Sequence, residues 1–247
     1  MAWGKSRDAV LEEIAGLRRA VDGLEPDGWS APTSCGGWTA GDCAAHVAQA
    51  IVNQQTAFQN MLAGRDETPE WIEGVFVDGA ATVAAMAASE AMAVETMGRL
   101  TGEHADRAVP LPIGTFPTPI ALDIVLLEYG THRWDIAHAV DPTATLSPAT
   151  SDAVLGLAPA MLTFFAGPPP SAPLAYRLEA DSTALEVTLV DGAWVLGPAP
   201  AGTPCTVVRG DDGAVALFAL GRIGADAPGL HVDGADAATF KTWFPGP

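Results

Sequence analysis

The sequence predicts an α then α+β protein, in which a bundle of four long helices is followed by a small α+β domain. Apolar residues recur every three or four positions through the first two thirds of the 247-residue chain, and the period drops to two beyond residue 174. Between the two regimes lies Gly167-Pro168-Pro169-Pro170-Ser171-Ala172-Pro173, a linker by composition. Periodicity separates helix from strand, and linkers rich in proline and glycine separate domains. The expected domains are therefore 1–166 and 174–247, joined by 167–173.

Ala9, Val10, Ile14, Leu17, Val21 and Leu24 define a first helix that Pro26 and Gly28 end. A second begins at Thr39, where Thr-Ala-Gly-Asp forms a capping box, and runs to about Leu62. An alanine-rich third helix is expected from near Ile72 to Leu100, and prolines 110, 112, 117 and 119 make the 104–119 stretch an extended loop. A fourth helix starts near Thr118, with proline in its first turn, and stops at Asp141-Pro142. A fifth covers Pro148 to about Phe165. Long helices with modest loops make a bundle.

Strands are expected at 174–179, 185–190, 193–196 and 205–209, with Asp191-Gly192 as a hairpin turn. A helix at 211–220, a short strand at 230–232 and a terminal helix at 235–243 complete the α+β domain.

Composition narrows the function. Lys and Arg number 12 against 30 Asp and Glu, a formal net charge of -18. Such a surface repels phosphate backbones and anionic headgroups, so neither nucleic acid nor membrane is expected as partner. The amphipathic start of the chain holds no signal-peptide core, and no apolar run reaches 18 residues; a cytoplasmic protein is expected. Lys5 and Lys241 are the only lysines and alanine is abundant, the composition of a high-GC genome. Cys35, Cys43 and Cys205 are odd in number and lack C-x-x-C spacing, which argues against a disulfide framework or a thiolate cluster. Any metal is expected on nitrogen and oxygen.

The five histidines are scarce enough to be informative. Glu128 precedes His132 by four residues, which projects a carboxylate and an imidazole from one helical face. Should the second and fourth helices be neighbours, His46 closes a set of two imidazoles and one carboxylate with one position open, suited to a catalytic zinc or other divalent ion. The competing reading is an exposed ion pair. A carboxylate amid Ile124, Val125, Leu126, Leu127 and Tyr129, however, calls for a specific partner. Asp135 either accepts from a ligand imidazole or pairs with Arg133 or Arg107. His138 lies nearly opposite His132 on the helix and reads as structural; His104 and His231 read as ordinary.

Pro32-Thr33-Ser34-Cys35-Gly36-Gly37-Trp38-Thr39-Ala40-Gly41-Asp42-Cys43-Ala44-Ala45-His46-Val47, together with Glu128-Tyr129-Gly130-Thr131-His132-Arg133-Trp134-Asp135-Ile136, resembles the mycothiol-dependent maleylpyruvate isomerase family of DinB-like metalloenzymes. The resemblance spans both domains. It implies a DinB-like four-helix bundle whose zinc is held at His46, Glu128 and His132, and a C-terminal domain of sterol-carrier-like fold. It further implies mycothiol as cofactor and an actinobacterial source. Ala214-Val215-Ala216-Leu217-Phe218-Ala219-Leu220-Gly221-Arg222 matches the family's Gly-Arg after a small, apolar helix, so Arg222 is implied to face the metal cleft. A planar fork there suits a carboxylate; the alternative is a helix C-terminal cap. Gly37 stands where the family more often has a larger side chain, and the 103–119 loop is particular to this chain.

The expected activity is addition of a metal-activated thiolate to a small, electrophilic, carboxylate-bearing substrate, giving cis–trans isomerisation or S-transfer. Arg222 would orient the carboxylate and Asp135 would support the metal site. Arg133, Arg107 and Arg222 are the candidates for making an otherwise acidic cleft positive. The alternatives are a thiol-independent zinc hydrolase and a non-enzymatic small-ligand-binding protein. The sequence leaves a monomer or a homodimer open.

Overall fold

The computed structural model describes residues 3–245, with side chains from Ser6 onward. The chain divides into two compact units, Met1–Thr150 and Ser151–Pro247.

In the first unit four long helices share one core: α1 (Trp3–Asp22), α2 (Ala40–Leu62), α3 (Gly79–Gly98) and α4 (Thr118–Val140). Helix α1 packs on α4 and α3, and α2 packs on α3 and α4. Val10, Ile14, Leu17 and Val21 of α1 are fully buried, as are Val47, Ile51 and Phe58 of α2 and Leu122, Val125, Leu126 and Tyr129 of α4. Each such side chain contributes about 1.5–3 kcal/mol on leaving water. The capping box predicted at α2 is present, with the Thr39 hydroxyl accepting from the Asp42 amide and the Asp42 carboxylate accepting from the Thr39 amide. It fixes the start of α2, and a cap of this kind is worth about 1 kcal/mol.

Two expectations are corrected here. Helix α3 starts at Gly79, not near Ile72, because Asp78 caps it by accepting from the Ala81 amide. Residues 66–78 instead form an irregular strap laid across α2. The stretch read as an extended loop contains a hairpin of β1 (Ala108–Leu111) and β2 (Gly114–Pro117). Gly114 turns it at φ 141, a conformation open to glycine.

The helix α5 (Pro148–Phe164) lies mostly within the second unit. There β3 (Ala175–Glu179), β4 (Ala184–Val190), β5 (Ala193–Leu196), β6 (Cys205–Arg209) and β7 (His231–Asp233) form one sheet in the order β5-β4-β3-β6-β7. Only β3 and β6 run parallel. Asp191 and Gly192 both take positive φ (50 and 78), the primed turn that matches strand twist. Tyr176, Leu178, Val187 and Trp194 face a core completed by α6 (Asp212–Leu220) and by Phe240 and Phe244. The opposite face of β3 carries Arg177 and Glu179, which pair with each other at 2.7 Å. The terminal helix predicted over 235–243 is broken into a 3-10 turn, Ala237–Thr239, and one turn of helix α7, Phe240–Trp243. Among the described residues no helix is long and apolar enough to cross a membrane.

Candidate metal centre

Helix α4 carries Glu128, His132 and Asp135 on one face, and the packing of α2 against α4 brings His46 to them. The ligand-capable atoms of His46, Glu128 and His132 all lie within 4.8 Å of one another. Glu128 Oε1 stands between the two rings, 3.0 Å from His46 Nε2 and 3.5 Å from His132 Nε2. His132 is 6% exposed, and the His46 side chain 13%.

Each ring has a carboxylate behind it. Asp135, fully buried, approaches His132 Nδ1 at 3.2 Å, but the contact is too bent for a hydrogen bond. Behind His46 Nδ1 stands Glu73 Oε1 at 2.5 Å, on the strap. Burial works against a charge on His46, but the hydrogen bonds and charges of Glu128 and Glu73 outweigh it and push its pKa up to about 9. Glu73 in turn is held below the usual carboxylate range: burial opposes this, but hydrogen bonds from His46 and from Trp71 Nε1 prevail.

Two tryptophans wall the site. The Trp38 ring stacks on His132 at 6.0 Å and 20° and lies 4.7 Å from His46, while Trp71 lies 5.9 Å from His46. Trp38 is set by a short turn in which the Thr33 hydroxyl donates to the Trp38 carbonyl and Pro32 bridges to Thr39. Beside Glu73 a cavity of about 410 Å³ opens between α2 and α3, lined by Ala45, Gln49, Val52 and Val75 among others. Its size falls in the range of small-molecule sites.

Sulfur comes closer than the sequence implied. Cys35 and Cys43 place their thiols with His132 and Asp135 in a second group whose donor atoms lie within 4.8 Å. All three cysteines are free thiols. Hydrogen bonding with Cys35, and then burial, drive the Cys43 pKa far upward, so Cys43 stays protonated. The His46, Glu128 and His132 group needs no thiol to lose its proton, and two imidazoles with one carboxylate form a ligand set of catalytic zinc. It fits a divalent metal: two imidazole nitrogens converge on one carboxylate, and the far nitrogen of His46 is hydrogen-bonded to Glu73.

The remaining candidates separate cleanly. Arg133 is not available to a substrate, because it pairs at 2.9 Å with buried Glu13. Arg107 lines a different cavity, of about 310 Å³, with Arg65 and Thr115. His138 stacks on Trp134 at 4.3 Å, away from the ligand group. His104 Nδ1 accepts from the Thr101 amide, and His231 lies exposed on β7. Gly221 ends α6 in the left-handed region, and the Arg222 amide donates to the Leu217 carbonyl, a backbone cap of the helix. Burial, and then the charge of Arg222, lower the pKa of Lys241 to about 8.

Glu73 is the site residue that the sequence reading missed. The signal was slight: an Asp78-Gly79 start that marks where α3 begins and leaves Glu73 ahead of it.

Residues 10–137 match the family described as the mycothiol maleylpyruvate isomerase N-terminal domain. No match is found among curated protein sequences. The fold is similar to the crystal structure of a mycothiol-dependent maleylpyruvate isomerase, with 16% identity and a TM-score of 0.68 over 94% of this chain and 93% of that one. A crystallised histidine-to-alanine mutant described in the same words aligns with a TM-score of 0.70 at the same identity and coverage.

Proposed function

Because the chain belongs to the mycothiol maleylpyruvate isomerase N-terminal domain family, we propose that it is a zinc- and mycothiol-dependent enzyme of the maleylpyruvate isomerase type. Its substrate is a small, electrophilic, carboxylate-bearing molecule, and the reaction is cis–trans isomerisation or S-transfer. In this reading the four helices are a DinB-like bundle and the strand-rich unit is sterol-carrier-like. The protein works in the cytoplasm as a monomer or homodimer.

The observation that carries the proposal is the convergence of His46 Nε2, Glu128 Oε1 and His132 Nε2 within 4.8 Å. A divalent metal held there supplies one thing, a lowered pKa for a thiol or water at its open position. His46 and His132 would hold the ion through Nε2, with Nδ1 turned to Glu73 and Asp135. Glu128 offers the one anionic ligand. Trp38, close against both rings, keeps water from one side of the site. Arg222 is the residue assigned to the substrate carboxylate, where a permanently charged fork is matched to two oxygens. Asp135 supports His132.

Metal analysis tests the assignment. Wild-type protein should carry one zinc, and His46→Ala and Glu128→Ala should carry none; full zinc in both variants refutes it. Mycothiol should raise the melting temperature of the zinc-loaded protein, and Arg222→Ala should raise KM for the substrate more than it lowers kcat. A second reading has an observation of its own, since two histidines and a glutamate also make the ligand set of hydrolytic zinc sites. Turnover that is lost to chelator yet indifferent to thiol decides for that reading.

A further inference from the structure

We propose that Glu73 is the positioning residue of the metal centre, fixing the tautomer and direction of His46 so that Nε2, and not Nδ1, is offered to the ion. The inference rests on His46 being a metal ligand, as argued above.

An ionised carboxylate only accepts hydrogen bonds, so a partner 2.5 Å from Nδ1 requires the proton there. In the neutral ring the lone pair then sits on Nε2, which faces Glu128 Oε1 at 3.0 Å. Glu73 is itself aimed from two directions, because its other oxygen, Oε2, accepts from Trp71 Nε1 at 3.0 Å. On one side of Glu73 the strap is tied down by Asn53 Nδ2 donating to the Ile72 carbonyl at 2.7 Å. On the other side Gly74 lies so close to the Ala45 carbonyl that a Cβ would overlap it. Beyond that, Phe76 covers Gly41 and stacks on Trp29 at 5.6 Å. The carboxylate is thus delivered to His46 by chain held at several points.

The two histidines are not equivalent. The carboxylate behind His132, Asp135, makes a bent 3.2 Å approach, whereas Glu73 is hydrogen-bonded to His46, so the directional control by a carboxylate lies on the His46 side. Glu73 is not itself a ligand of the same ion, because its oxygen occupies the ring edge remote from Glu128. Its side chain is 50% exposed, and an exposed pair contributes little to folding. The consequence is felt in metal affinity, where partners behind a ligating histidine typically control about tenfold to a hundredfold.

The test uses the full chain, stripped of metal, with zinc binding measured by competition against a chromophoric chelator and with unfolding followed in parallel. Glu73→Ala should keep a stoichiometry of one zinc and the wild-type melting temperature of the metal-free protein, yet bind zinc about tenfold to a hundredfold more weakly. Glu73→Gln, which can still accept from Nδ1–H, should recover part of that loss. A loss of less than tenfold in Glu73→Ala overturns the proposal. So does loss of stoichiometric binding, which would make Glu73 a ligand. If Glu73→Ala fails to fold, Glu73→Gln decides: a threefold or greater loss supports the role and a smaller one refutes it. His46→Ala separates the two layers of argument. Should it bind zinc as well as wild type, the metal-site reading is itself wrong and the role of Glu73 falls with it.

Discussion

Removing Arg133 tests how the helices that carry the ligands are held in register. Glu13 on α1 is 3% exposed and takes Arg133 Nε at 2.9 Å; its other oxygen accepts from the hydroxyls of Ser147 and, at 3.1 Å, Thr150. Room for the guanidinium comes from Gly16, where a Cβ would stand 2.7 Å from Arg133 Cδ. Arg133 directly follows His132, so the pair sets the rotation of α4 against α1 and with it the direction of the ligand face. In Arg133→Met a buried carboxylate keeps two hydroxyls and loses its charge partner. Breaking a buried pair from one side costs about 3–5 kcal/mol, and the 25% exposure of Arg133 places the expectation at the lower end. At about 2–4 °C per kcal/mol for a chain of this size, the melting temperature should fall by about 6–12 °C. The double variant Glu13→Gln with Arg133→Met should recover much of the loss, since no uncompensated charge remains. A drop below about 2 °C, or strict additivity of the two substitutions, would show that the pair is not what locks α1 to α4.

Two further outcomes follow from the packing and the charges. Gly74→Ala places a Cβ against the Ala45 carbonyl and 3.0 Å from Gln49 Cβ, so the strap must lift; overpacking of this kind costs about 1–3 kcal/mol. Zinc affinity should fall at least as far as in Glu73→Ala, and unchanged affinity would show that the strap does not aim Glu73. Lys241 should give the strand-rich unit a stability that rises with pH. Burial, and then Arg222, lower its pKa to about 8 from 10.5, so between those values the unfolded chain binds more protons and the penalty carried below pH 8 is relieved as pH rises. Lys241→Met should flatten that rise between about pH 8 and 10.5 and stabilise the unit at neutral pH by about 1 kcal/mol after allowance for solvent screening; a variant that keeps the rise refutes the assignment.

The parts of the site that the sequence revealed are those whose spacing is local. Thr39 and Asp42 announce the start of α2 because a capping box closes within four residues, and Glu128 and His132 announce themselves because one helical turn separates them. Asp191-Gly192 is legible for the same reason, as the turn demands positive φ. Glu73 is not, because its function depends on a strap with no period at all, and the apolar residues Ile72, Val75 and Val77 merge in composition with the alanine-rich helix that follows. The β1–β2 hairpin was hidden by its prolines: Pro110, Pro112 and Pro117 read as loop, although Pro110 and Pro117 sit in a two-stranded pairing with few neighbours to satisfy. The partner of Arg133 was out of reach, since Glu13 lies at the far end of the helical region and only tertiary packing joins them. Cys35 and Cys43 meet His132 for a like reason, a turn and a helix start closing on α4.

Charge explains why this constellation wants a cation. Three carboxylates, Glu73, Glu128 and Asp135, surround two imidazoles in a pocket where Asp135 is fully buried and Glu128 only 24% exposed. Three carboxylates gathered around two rings, two of them shielded from water, favour a positive partner. In the metal-free chain the imbalance is met in part by a proton on His46, which is why its pKa climbs to about 9 in spite of burial. A divalent ion held by His46, Glu128 and His132, as proposed above, would meet more of it. On the proposal made above, proton and metal would compete for His46 Nε2, and Glu73 would serve both: with Nδ1–H donated to it, His46 is a charged partner for Glu128 when a proton occupies Nε2 and would be a neutral ligand when the proton leaves.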